Sequence, residues 1–114
     1  LTVSIVIPGL GQEEQKNDTT AVEIAKERTE EQRETLSLSE QQEKLMYDVN
    51  LKYIEEMLVI RTEGRSVSAL KRLREMSDRM DQEVVVILNE DQYTNYLKMK
   101  DRYRKEMKKR MKSE

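Results

Sequence analysis

The stretch LSEQQEKLMYDVNLKYIEEMLVI, Leu38 to Ile60, has no proline or glycine and carries its own start signal. Ser39 stands where a helix N-cap is expected. Gln42, three residues on, can return a side-chain bond to the Ser39 backbone amide, which makes a capping box. Glu40 in the first turn adds favourable charge against the helix dipole. At 100° per residue the segment then fills two apolar stripes. Leu45, Met46, Val49, Tyr53, Met57 and Ile60 form one, and Tyr47, Leu51, Ile54 and Leu58 form another on roughly the opposite flank. Lys44, Asp48, Lys52 and Glu55 occupy the remaining strip. A rod that is apolar on two sides needs two partners, or one partner and one open binding face.

Outward from this rod the chain reads as further helices. TEGRS closes it, with Gly64 available for the left-handed position. Ser66 or Ser68 then starts a helix with Leu70, Leu73, Met76, Met80, Val84 and Ile87 in one stripe. Val85 and Val86 fall outside that stripe. The run EVVVIL clusters β-branched residues, yet the stripe passes through it in phase, so the expectation is helical. A last helix starts at LNEDQY, Leu88 to Tyr93, with Asn89 as N-cap, Gln92 at the third position and Leu88 and Tyr93 spaced as a hydrophobic staple. Tyr93, Tyr96, Leu97, Tyr103, Met107 and Met111 line one side, interrupted by Lys100, and fraying is expected beyond about Arg102. Ahead of Leu38, Asp18 or Thr19 can cap a first helix with a weak stripe of Val22, Ala25, Thr29 and Leu36.

The start phrase is written twice. Offset by fifty residues, Leu38, Glu40, Gln42, Tyr53, Glu56 and Met57 recur as Leu88, Glu90, Gln92, Tyr103, Glu106 and Met107. This pattern suggests a duplicated helical unit or convergence on one geometry.

Composition narrows the chemistry. The 114 residues are 39% charged, and they include no histidine and no cysteine. The usual nucleophile–base pairs and transition-metal sites need one or the other. No glycine-rich phosphate loop is present. No enzyme is read, no cofactor is expected, and a metal is not expected. From Gln12 to Glu43 ten acids face four bases, and from Lys98 onward nine bases face three acids. Such polarity suits solvated helix faces, pairing within the fold, or pairing with partners.

Residues 1–11 differ from the rest. Leu1 to Ile7 are mostly apolar, followed by Pro8 and then Gly9-Leu10-Gly11. They read as the later part of a secretory signal peptide with a small-x-small cleavage site. The alternative is a β-strand ended by Pro8 and Gly9, which would need a sheet to join. Residues 12–18 read as a polar linker and 19–114 as one helical domain. No later segment approaches the roughly 20 apolar residues of a membrane span.

LSEQQ and LNEDQ resemble the paired LTxxQ motifs of the periplasmic Spy/CpxP family. Leu38, Ser39 and Gln42 match the first motif with Ser for Thr; Leu88 and Gln92 match the second, where Asn89 replaces the hydroxyl residue. The resemblance covers about Leu36 to Arg110. It implies an all-α protein in which four helices form two extended helical hairpins, thin and curved, acting as a periplasmic homodimer. Members include an ATP-independent chaperone and an envelope-stress regulator. The expected function is therefore chaperone-like binding of unfolded clients on an amphiphilic face. A regulatory adaptor of one envelope partner and a structural helical homo-oligomer are the alternatives. Tyr47, Leu51, Ile54, Leu58, Val85 and Val86 are the candidate client or dimer surface. Nucleic acid is not an expected partner.

Overall fold

A computed structural model describes residues 8–113. Four helices follow one another: α1 Pro8–Leu36, α2 Glu40–Arg61, α3 Val67–Ile87 and α4 Glu90–Ser113, with no strand among the described residues. The fold class is all-α. EVVVIL lies inside α3 up to Ile87, as its phase requires.

Each helix boundary has a local cause. Ser39 accepts from the Gln42 amide at 3.1 Å while the Gln42 side chain accepts from the Ser39 amide at 3.0 Å, so the expected capping box forms. Ser66, rather than Ser68, caps α3 by accepting from the Ala69 amide at 2.9 Å. Gly64 closes α2 at φ +89°. α1 ends without a glycine. Ser37 takes the left-handed conformation at φ 56°, and the Leu38 amide reaches back to the Arg33 carbonyl at 3.2 Å. That six-to-one bond is the Schellman closure normally marked by glycine, so the sequence carried no sign of it.

α1 begins ten residues before the expected cap at Asp18 or Thr19, and residues 12–18 are helical rather than a linker. Proline is tolerated in a first helical turn, and the stretch after Gly11 has no further helix breaker. The reading of Leu1 to Ile7 lies outside the described residues, as do the side chains of Met107 and Met111. α4 continues as helix well past Arg102.

The helices pack α1 on α2, α2 on α3 and α4 on α1, while α3 and α4 touch through Asp81, Tyr96 and Lys100. All three packed pairs are antiparallel. Between α2 and α3, Lys52 meets Glu83 at 2.7 Å, Glu56 meets Arg79 at 2.5 Å, and Glu63 meets Arg72 in one unbroken register. These pairs lie largely in solvent, which screens them, so each contributes little to stability. They align the helices more than they stabilise them. The body measures 52 × 37 × 23 Å, about two helix diameters in its shortest direction.

Two apolar clusters result. The larger joins Met46, Val49, Tyr53 and Ile60 of α2 to Met76 and Val84 of α3 and to Leu88, Tyr96 and Met99. The smaller joins Ala21 and Ala25 of α1 to Ile54, with Tyr47, Leu51 and Leu58 packed around them. Several buried positions differ from those expected. Ala21 and Gln32 are buried on α1, where Val22 is only half-buried; Ala69 is buried on α3 in place of exposed Leu70; Met99 is buried on α4, where Leu97 is exposed. Leu45, expected on the first stripe of α2, is likewise exposed.

One polar bridge crosses the α1–α2 seam. Asn50, fully buried, donates from Nδ2 to Thr29 Oγ1 and Gln32 Oε1, both at 2.9 Å, and Thr29 in turn donates to the Ala25 carbonyl at 2.7 Å. Buried amides of this kind fix the register of helix pairs.

Candidate interaction surface

The six motif residues come together at one end of the molecule. In α4 the phrase forms the same reciprocal cap as in α2: Gln92 N–H donates to Asn89 Oδ1 at 2.8 Å, and Asn89 N–H donates to Gln92 Oε1 at 3.0 Å. The two caps are then tied to each other. Gln42 Nε2 donates to Gln92 Oε1 at 2.8 Å, and Gln92 Nε2 donates to Gln42 Oε1 at 3.1 Å. Each amide nitrogen also reaches the last turn of a different helix. Gln42 donates to the Ile87 carbonyl at 3.1 Å and Gln92 to the Leu36 carbonyl at 3.2 Å. Two starts and two ends therefore meet at one pair of side chains, with the near-symmetry that a fifty-residue repeat predicts. Leu88 is buried beneath the knot, and Leu38 and Tyr93 pack against the same core.

The pair explains why both phrases carry glutamine. A capping box needs only an acceptor at its third position, which glutamate supplies equally well. Only an amide adds N–H donors for the carbonyls that a helix end leaves open. Glutamine at that place in both phrases was the readable signal, and its cross-link was missed.

The candidate surface residues separate. Ile54 is only 2% exposed, and Tyr47, Leu51 and Leu58 are half-covered by α1. The second stripe of α2 is therefore mainly the seat of α1, contrary to its reading as an open face. The small side chains of Ala21 and Ala25 let α1 approach closely, which its acidic sequence concealed. Val85 and Val86 are exposed, Val86 to 83%. Val59 at 59%, Val67 at 84%, and Leu45, Leu70 and Leu97 are also exposed and were not singled out. Five of the seven form two groups by position: Val59, Val67 and Leu70 near the α2–α3 turn, and Val85 and Val86 at the far end of α3. The separation is about 28 Å at 1.5 Å per helical residue.

Buried tyrosines give the fold a defined alkaline limit. Burial raises the pKa of Tyr96 far above the ordinary phenol value, reinforced by the Asp81 charge and the hydroxyl bond to Asp81 at 3.2 Å. Burial and the bond to Glu31 raise Tyr103 likewise, against opposing pulls from Arg28 and Arg102. A folded pKa above the unfolded one means that the native state holds its protons more tightly. This stabilisation is complete below about pH 10 and is lost as pH rises from there toward the folded values. Melting temperature should fall steeply above about pH 10, with tyrosinate absorbance growing in step with loss of helix.

Among the described residues no helix is long and apolar enough to cross a membrane. Compared with models of known families, with curated proteins and with solved structures, the chain matches none.

Proposed function

We propose that this chain is a chaperone-like protein that holds extended apolar segments of unfolded clients along α3. The observation that carries the reading is the exposure of Val67 and Val86 at the two ends of that helix, with Val59, Leu70 and Val85 beside them. Large apolar side chains left uncovered usually mark interaction sites. An extended client segment of about eight or nine residues spans the 28 Å between the two groups. Lys71, Arg74 and Asp78 between them are exposed, outside the ion pairs with α2, and offer charges that attract a chain at a distance. The resemblance carried by the two capping phrases adds the setting: outside the cytoplasm, with a curved build of paired hairpins, as a homodimer.

The full chain in several-fold excess should suppress aggregation of two unrelated denatured enzymes, read by light scattering. The double variant Val67→Ser, Val86→Ser should lose most of that capacity while keeping its helicity and melting temperature. Equal suppression by both proteins, or by neither, ends the proposal.

A regulatory adaptor is the second reading. It draws on the exposed bases Lys98, Arg102, Arg104, Lys105, Lys108 and Lys109 along α4. It requires capture of one membrane partner that is lost when these bases are neutralised.

A further inference from the structure

At the end of the bundle away from the glutamine knot, α1, α2 and α4 enclose a groove of about 280 Å³. Arg28 of α1 lines it, largely buried, with its guanidinium 4.8 Å from the centre of the Tyr103 ring. Among the described residues this guanidinium makes no ion pair and no hydrogen bond. The carboxylate placed to help it, Glu31, accepts instead from the Tyr103 hydroxyl. A desolvated guanidinium with open donors is costly unless something accepts from it. Burial accordingly lowers the Arg28 pKa. Arg61 and Arg102 line the same space and are also without ion pairs among the described residues.

The rest of the lining narrows the ligand. Ile24, Met57 and Leu58 supply an apolar wall beside the arginines. Glu27, Glu31 and Glu106 balance the three cations in formal charge, so the carboxylates' repulsion grows with the charge of the anion and is least for a single charge. The volume lies just under the range of about 300–1,000 Å³ typical of small-molecule sites. We propose that the groove binds a small amphipathic monocarboxylate, its carboxylate on Arg28, Arg61 and Arg102 and its apolar part against Met57 and Leu58. The site is separate from the α3 valines and does not depend on the client reading.

The test titrates the full chain with N-acetylleucine, N-acetylleucinamide and inorganic phosphate, followed by calorimetry and by NMR shifts. The acid should bind saturably with shifts centred on Ile24, Arg28, Met57 and Tyr103. The amide should bind at least about tenfold weaker, since it cannot form the charge-assisted bonds. Arg61→Gln and Arg102→Gln, both at exposed positions, should each weaken the acid several-fold without changing the melting temperature. Arg28→Gln should abolish binding, and the two exposed variants keep the test valid if that protein unfolds. A six-residue peptide with a free C-terminal leucine identifies the source: equal affinity indicates a free acid, tighter binding a chain end, and both retain the carboxylate site. Equal binding of acid and amide, tighter binding of phosphate, shifts elsewhere, or no saturation at millimolar acid each overturns it.

Discussion

Replacing Gln92 by alanine is expected to lower stability by about 2–4 kcal/mol, a large fraction of what a domain of this size possesses. The side chain accepts from the Asn89 amide and from Gln42, and donates to Gln42 and to the buried end of α1 at Leu36. Each such bond contributes about 1 kcal/mol net, and the buried partners left open add their desolvation cost. Gln42→Ala should cost a similar amount. The double variant should cost clearly less than the sum, by about 1 kcal/mol or more, because both singles remove the same reciprocal pair. Urea unfolding followed by circular dichroism measures all three. Gln92→Glu is the sharper substitution. It retains an acceptor for the cap but loses both donors and sets a charge beside two carbonyls, so it should destabilise as much as alanine. A glutamate variant as stable as the parent would show that the cap alone matters and the cross-link does not.

That contrast also marks what the sequence could tell. Ser39, Gln42, Asn89 and Gln92 were legible as caps because a capping box is local, written within four residues. Their joining across fifty residues depends on where four helix ends arrive, which no local pattern records. Gly64 was legible because left-handed backbone favours glycine; Ser37 adopts the same region without that signal. The α3 stripe was largely legible, and the positions of Val85 and Val86 outside it correctly marked them as exposed. α1 was the least legible element. Its buried line is Ala21, Ala25, Thr29, Gln32 and Leu36, in which Leu36 is the one large apolar side chain, while Thr29 and Gln32 are polar and both accept from Asn50. Hydrophobic periodicity weighs side chains by their apolarity, so a seam built from alanines and a satisfied amide reads as solvated surface. The error about the second stripe of α2 follows directly: an unseen partner left its seat looking vacant.

Replacing Ile54 by alanine should cost about 2–5 kcal/mol, the range for truncating a large side chain at a closed site. Ile54 is 2% exposed and is the α2 residue buried against Ala21 and Ala25. Those alanines have no reach to fill the space, so the cavity should persist rather than collapse. Calorimetry or urea unfolding gives the size, and hydrogen exchange gives the place: amides of α1 should lose protection before those of α2 and α3. The same variant separates two accounts of client binding. If clients are held on the outer valines of α3, Ile54→Ala assayed well below its melting temperature should suppress aggregation as the parent does. If they are held on the second stripe of α2, loosening α1 should uncover Tyr47, Leu51 and Leu58 and increase both apolar-dye binding and suppression. Val67→Ser with Val86→Ser should then have little effect. Each account therefore leaves one variant unchanged and moves the other, and unchanged suppression by Ile54→Ala, paired with its loss in the valine variant, is the result that places clients on α3.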